Sequence, residues 1–225
     1  QFHVGAWNVQ PLLAWWTGAT VVLERSFGAG SVLALVAEHR VTTMMGVPTH
    51  YLLMAEHRSF ATADLTSLRS AVVGGAPMPA PLLRTYHERG VALTQGYGLT
   101  EAGPNVLCLP PHEAADRAGW AGVPYPHVDV DLVDPASGER VRGAGAGELV
   151  VRGPGLFSGY LDDPEASARA LRDGWLATGD VAERDDDGYL RIVDRLKNIY
   201  ISGGENVAPA EVEGVLRRHP AVHEA

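Results

Sequence analysis

The sequence predicts an α/β fold: a parallel sheet with helices on both faces, then a β-barrel-like subdomain and the start of a small C-terminal α+β domain. Short apolar runs alternate with amphipathic helical segments over residues 20–109, which is typical of a parallel sheet covered on both faces. After about residue 118 the pattern changes to short strands separated by turn residues, which indicates a β-rich subdomain. We therefore expect three parts, at residues 1–117, 118–196 and 197–225.

The hydrophobic periodicity places the individual elements. In the first part it predicts strands at 20–23, 41–45, 71–73 and 92–95, and helices at 31–40, 49–57 and 79–89. In the remainder it predicts strands at 128–133, 148–152, 176–183 and 189–194, and helices at 164–172 and 209–219. Both of these later helices begin with proline, which is favoured in the first helical turn.

Composition excludes several classes of function. The 225 residues are 46% hydrophobic and 20% charged, which is a globular composition, and the net charge of -9 argues against a nucleic-acid-binding surface. The single cysteine, Cys108, lies in an apolar run and is interpreted as a buried hydrophobic residue. No apolar stretch approaches the roughly 18 to 20 residues of a membrane span. We expect a cytoplasmic protein without a transmembrane segment.

Two glycine-containing loops mark the predicted ligand site. Segments 74–77 and 96–101 each follow a predicted strand directly. Ligands of open parallel sheets bind beyond the carboxyl ends of the strands. Both loops are therefore expected at the same edge of the sheet.

Residues 95–101 read QGYGLTE, and this loop resembles the QGYGxTE loop of acyl-adenylate-forming enzymes, with the acyl-CoA synthetases (fatty-acid CoA ligases) as the closest group. The resemblance implies that Gln95, Gly96 and Tyr97 bind the nucleotide, with Tyr97 along the adenine. It also implies that Thr100 contacts the nucleotide phosphate and that Glu101 helps to hold Mg²⁺, for which a carboxylate is a suitable hard ligand.

Two further segments of the first part resemble the same family. The segment Gly74, Gly75, Ala76 and Pro77 resembles its GGAP segment, which implies small residues that flank the adenine and line the acyl pocket. His3 resembles the aromatic-loop histidine, which implies a place near the ATP phosphates and the acyl carboxylate. Without the resemblance, His3 is a histidine in an apolar run, where a structural role is the commoner one.

The later segments add nucleotide and hinge residues. Residues 175–180 read WLATGD and resemble the family segment in which the aspartate, here Asp180, binds the ribose hydroxyls. Residues 194–198 read DRLKN and resemble the hinge between the large and small domains, with Arg195 on the ribose and Lys197 at the pivot. Gly203 and Gly204 resemble the loop that borders the pantetheine tunnel of CoA-using members. The GEL segment at 147–149 is interpreted as structural.

Two features depart from the complete family pattern. Asn198 stands where the family often has aspartate, and Lys197 is the only lysine. The phosphate loop with its lysine and the C-terminal catalytic lysine are therefore expected outside this chain. We interpret the chain as an interior fragment that is inactive alone.

The resemblance implies a parent enzyme that uses ATP, Mg²⁺ and CoA to convert a carboxylic acid into an acyl-AMP and then an acyl-CoA. Apolar and aromatic residues near the start favour a fatty acid, with an aryl acid as the alternative. Loading of a carrier-protein thiol and a noncatalytic nucleotide-binding remnant stay open as other functions. A homodimer is also left open.

Overall fold

The computed structural model describes residues 3–202, 205–216, 219 and 221–222. The chain divides into two compact units. The first unit comprises Gln1–His127 with Pro154–Phe157, and the second comprises Val128–Gly153 with Ser158–Ala225. Within the described residues, no helix is both long enough and apolar enough to span a membrane.

The first unit is a mixed sheet with flanking helices. Its helices are α1 (Val4–Asn8), α2 (Pro11–Trp16), α3 (Ala29–Glu38), α4 (Pro48–Glu56) and α5 (Ala80–His87). Its strands are β1 (Thr43–Gly46), β2 (Ser70–Val73), β3 (Leu93–Tyr97), β4 (Leu107–Cys108) and β5 (Val123–Pro124). They follow the order β1-β2-β3-β4-β5, with β1 to β3 parallel and β4 and β5 antiparallel.

The two faces of the parallel strands have different neighbours because successive side chains point in opposite directions. On one face, Met44, Ala71 and Leu93 pack in the core formed with α3, α4 and α5. On the other face, Met45 and Val72 line a cavity together with residues of α1. Helices therefore lie on both faces of the sheet, and the predicted α/β class is confirmed.

Two buried tyrosines connect α4 and α5 to the sheet. The Tyr86 hydroxyl donates to the Tyr51 carbonyl at 2.7 Å, and the Tyr51 hydroxyl donates to the Val72 carbonyl at 3.0 Å. Their rings meet edge to face with centroids 5.3 Å apart, a favoured aromatic geometry. Desolvation raises the pKa of both hydroxyls, so both remain protonated donors at neutral pH.

The second unit is built on antiparallel strands. Its elements are β6 (Asp129–Val133), β7 (Gly145–Arg152), α6 (Pro164–Ala170), β8 (Leu171–Arg172), β9 (Trp175–Arg184), β10 (Leu190–Arg195), β11 (Tyr200–Ser202), β12 (Glu205–Val207) and α7 (Pro209–Leu216). The main sheet has the order β10-β9-β7-β6, with β8 also paired to β9. Among the described strands, the edge strands β6 and β10 do not pair with each other. The subdomain is therefore an open sheet and not a closed barrel.

The strand predicted at residues 20–23 is wrong. This segment has irregular backbone, with Val22 and Leu23 39% and 66% exposed. Its apolar composition suits a strand, but a strand also needs a partner for its backbone groups. In the part of the chain that the structure describes, β1 pairs with β2 alone. The short helices α1 and α2 were not predicted.

Removal of the Tyr86 hydroxyl should destabilise the first unit. We expect Tyr86→Phe to lower the free energy of unfolding by about 1–2 kcal/mol, because a buried hydrogen bond between α5 and the Tyr51 carbonyl is lost. Urea unfolding of the full-length protein measures this. Tyr200→Phe is the matched control, since Tyr200 is 48% exposed. Equal unfolding midpoints for both variants would contradict the prediction.

Candidate active site

A cavity of about 510 Å³ lies on the α1 side of the parallel sheet, within the first unit. Its wall includes residues that follow the carboxyl ends of β1, β2 and β3, as expected for a parallel sheet. Six of the predicted site residues line it, from three separate segments of the sequence: His3, Gly74, Gly75, Gly96, Tyr97 and Thr100. The other predicted residues of this unit, Ala76, Pro77, Gln95 and Glu101, are outside the lining set.

Glycines keep the cavity open where β2 ends. A Cβ built on Gly74 would lie 3.6 Å from the Met45 Cε and 3.7 Å from the Gly96 carbonyl oxygen, so a methyl group fits but leaves little space beyond it. Gly75 has a φ of +83°, in the left-handed region that favours glycine. A planar ligand could approach this backbone closely, and the Tyr97 ring borders the same cavity. These residues therefore fit an adenine ring.

Gln95 connects the two glycine loops. It is 6% exposed, and its side-chain carbonyl oxygen accepts a hydrogen bond from the Met78 backbone N–H at 3.1 Å. Met78 directly follows the segment 74–77, so Gln95 fixes that loop relative to β3. The family resemblance implied that Gln95 binds the nucleotide. In the structure, the oxygen of its side-chain amide accepts a hydrogen bond from a backbone N–H.

The loop that carries Thr100 and Glu101 is shaped by close backbone contacts. A Cβ on Gly98 would lie 1.6 Å from the Pro104 carbonyl oxygen, which leaves no space for any side chain. Residues Thr100–Ala102 form a 3₁₀ turn that ends at Gly103, whose φ is +68°. The Phe157 N–H donates to the Glu101 carbonyl at 2.8 Å. Residues 154–157 therefore support this turn, a contact that the sequence pattern did not reveal.

The chemistry of Glu101 fits a metal that arrives with the nucleotide. The described residues contain no group of three or more histidine, cysteine, aspartate or glutamate side chains that could hold a metal ion. Mg²⁺ is commonly bound by one or two carboxylates together with substrate phosphates and waters. A single carboxylate beside an exposed threonine is compatible with that mode and not with a permanent metal cage.

His50 lines the cavity but was missed by the sequence analysis. It lies in the first turn of α4, shortly after the carboxyl end of β1. Its ring stacks on Phe27 with centroids 4.2 Å apart, and desolvation lowers its pKa, so it is neutral at pH 7. Tyr125 and Asn105 also line the cavity. The strand-end rule, applied to β1 as well, could have identified His50.

In the second unit, Asp180 and Arg195 form an ion pair. They lie opposite each other on β9 and β10, and Arg195 Nε is 2.9 Å from Asp180 Oδ1. Asp180 is 4% exposed, whereas the Arg195 side chain is 55% exposed. The two residues implied to bind the ribose are therefore adjacent. A carboxylate and a guanidinium together can accept from and donate to a vicinal diol.

The predicted hinge segment is held by Asp194. Its Oδ1 accepts from the Arg195 N–H at 2.7 Å and from the Asn198 side-chain amide at 3.0 Å, and its Oδ2 accepts from the Ala210 N–H at 3.1 Å. Desolvation opposes ionisation, but these hydrogen bonds prevail and lower the Asp194 pKa. An aspartate at 198 would bring a second carboxylate against Asp194, so asparagine suits this position. Lys197 is exposed in the same turn.

The two glycines predicted to border the pantetheine tunnel, Gly203 and Gly204, lie outside the described residues. Their role stays a prediction.

Comparison with known proteins decides the family. The model of the AMP-binding enzyme family matches residues 1–161. The chain belongs to this family. The chain is 49% identical to a feruloyl-CoA synthase from Amycolatopsis sp, over 98% of this chain and 45% of that protein. It is 40% identical to an indoleacetate–CoA ligase from Aromatoleum aromaticum, over 99% of this chain and 44% of that protein.

Solved structures support the same family. The chain superposes on O-succinylbenzoate coenzyme A synthetase from Bacillus subtilis, solved with ATP and magnesium ion, with a TM-score of 0.88. The identity is 34%, and the match covers 99% of this chain and 46% of that one. The chain thus spans slightly less than half the length of the relatives it matches.

The Gly98 contact gives a sharp test of the loop geometry. We expect Gly98→Ala in the full-length protein to abolish measurable ATP binding, because the methyl group would overlap the Pro104 carbonyl and displace residues 99–101. Isothermal titration calorimetry with ATP measures the effect. Gly28→Ala is the control, since the nearest atom to its added Cβ would be 3.5 Å away. Unchanged ATP affinity in Gly98→Ala would show that the loop does not contact the nucleotide.

Proposed function

We propose that the full-length protein is an AMP-forming acid–CoA ligase. The observation that carries this proposal is the convergence of His3, the two glycine loops and Tyr97 on one cavity. Family membership and the CoA-ligase names of the two relatives described above support this reaction class. We further propose that residues 1–117 and 118–196 belong to the large domain, and that residues 197–225 begin a smaller domain.

The roles of the cavity residues follow from their positions. Gly74 and Gly75 allow a ring to lie against the backbone, and Tyr97 covers that ring. His3 and Thr100 line the same cavity and supply hydrogen-bonding groups for the acid carboxylate and the phosphate. Mg²⁺, which Glu101 would help to hold, supplies charge neutralisation of the phosphates when it is bound.

Asp180 and Arg195 are proposed to bind the ribose. In the first half-reaction, an oxygen of the acid carboxylate attacks the α-phosphorus and pyrophosphate leaves. In the second, the CoA thiol attacks the acyl carbonyl and AMP leaves. Because Lys197 is the only lysine, the lysines expected to stabilise phosphate charge must come from sequence outside this chain. Since such electrostatic stabilisation is usually a large catalytic contribution, the 225 residues alone are expected to be inactive.

We propose an aryl acid as the preferred substrate, ahead of the fatty acid that the sequence analysis placed first. The two relatives described above are named for ferulate and indoleacetate, which are both aryl acids. The cavity wall contains four rings that suit an aromatic ligand: His3, His50, Tyr97 and Tyr125. Because the His50 ring is neutral, an aromatic ligand that packs against it does not have to remove water from a charged group.

An acid panel tests this function. With the full-length protein, ATP and CoA, we expect kcat/KM for ferulate or indoleacetate to exceed that for octanoate or palmitate by on the order of tenfold or more. Acid-dependent pyrophosphate exchange and thioester formation are measured separately. Palmitate as the best substrate would refute the aryl assignment, and exchange without a CoA thioester would favour carrier-protein loading. Absence of exchange with every acid would refute the ligase itself.

The ribose assignment gives a separate prediction. We expect Asp180→Ala to raise the KM for ATP on the order of tenfold, with little change in the KM for the acid, because a buried carboxylate partner of the diol is lost. Steady-state kinetics of the full-length protein measure both constants. Asp129→Ala removes an exposed aspartate in the same unit and serves as control. A change confined to the KM for the acid would contradict the assignment.

A further inference from the structure

Strand β9 contains a bulge next to Asp180. Between two register pairs, β7 advances two positions, from Glu148 to Val150, while β9 advances four, from Val181 to Ala177. Gly179 lies within this bulge with a φ of +71°. Backbone groups in a bulge leave the regular ladder and need other partners.

Side-chain and backbone groups of neighbouring segments form hydrogen bonds with the polar groups of the bulge. The Gly179 N–H donates to Glu148 Oε1 at 2.9 Å, and the Gly179 carbonyl accepts from the Leu196 N–H at 2.9 Å. The Thr178 hydroxyl donates to the Leu149 carbonyl at 2.6 Å and accepts from the Asp180 N–H at 3.1 Å. Within this set, Glu148 supplies the one side-chain acceptor that comes from the facing strand.

Asp180 directly follows the glycine that Glu148 holds. Its carboxylate is 4% exposed and meets Arg195 across the strand pair. A shift of the Gly179 peptide would therefore move the Asp180 backbone and the direction of its carboxylate. One Glu148 carboxylate oxygen is engaged with the bulge through the Gly179 N–H.

We infer that Glu148 is a positioning residue for nucleotide binding: it fixes the Thr178–Gly179 bulge and thereby aims Asp180 at the ribose. This inference rests on the proposed function, since it assumes that Asp180 contacts the nucleotide. It gives the GEL segment a part in binding that the sequence analysis did not assign. The acceptor oxygen, and not the negative charge, is the feature that does this.

Three substitutions separate placement from charge. Glu148→Ala removes the acceptor and should weaken AMP binding by the full-length protein on the order of tenfold. Glu148→Gln keeps a carbonyl oxygen at the same reach and should bind AMP within about twofold of the unmodified protein. Glu148→Asp keeps the charge but shortens the side chain by one methylene, and should weaken AMP binding as Glu148→Ala does.

Matched measurements distinguish positioning from a general structural role. Glu183→Gln, which changes an exposed pair with Arg191 on the same sheet, is the control. Calorimetry gives the Kd for AMP, kinetics give the KM for acid and for ATP, and thermal melting gives the Tm. We expect the Kd for AMP and the KM for ATP to rise in Glu148→Ala while the KM for acid stays within about twofold. In an Asp180→Ala background, Glu148→Ala should add less than about twofold.

The outcomes are decisive in each direction. If Glu148→Ala lowers only the Tm and binds AMP normally, the inference is wrong. It is also wrong if Glu148→Asp binds normally while Glu148→Gln does not, because charge would then be the important feature. Should Glu148→Ala fail to fold, the comparison of the Gln and Asp variants decides. If the unmodified protein binds no AMP, the proposed function itself fails and the inference falls with it.

Discussion

The parallel register of β2 on β3 is the constraint on which the cavity of the first unit depends. Val73 pairs with Gln95, so Gly74, which follows β2, and Gly96, which lies within β3, are side by side, and both line the cavity. The hydrogen bond from Met78 to Gln95 then fixes the chain beyond Gly74. One strand pairing and one buried amide therefore place two loops that lie about twenty residues apart in sequence.

The same pairing explains why core and cavity can share three short strands. Alternate side chains face the α3–α5 core, where burial of apolar surface stabilises the fold at about 25 cal/mol per Å². The intervening positions face the cavity, where Met45 and Val72 form a wall without filling the space. Glycine at 74 and 96 continues this second face without adding bulk. The core and the cavity thus use opposite faces of one sheet.

Sequence patterns predicted the elements that are long or periodic and the loops that follow them. They failed for residues 20–23 because apolar composition does not reveal whether a partner strand exists. They also missed His50, which lies in α4 and lines the cavity. The hydrophobic periodicity of a helix predicts which side chains are buried, but not which of them border a cavity. The contact between residues 154–157 and the Glu101 turn joins distant segments through backbone atoms. Since every residue type has these atoms, the sequence does not predict the contact. The open edges of the second sheet are likewise a property of pairing, not of composition.

Motif residues with polar side chains divide into two groups once their partners are known. Gln95, Glu148 and Asp194 all accept hydrogen bonds from backbone N–H groups, because N–H groups in loops, bulges and first helical turns have no partner in a ladder or helix. Thr100, in contrast, is exposed on the cavity wall. A motif therefore contains both residues that line the cavity and residues that hold the backbone in place. Since both kinds are polar and lie within a few positions of each other, only the identity of the hydrogen-bond partner separates them.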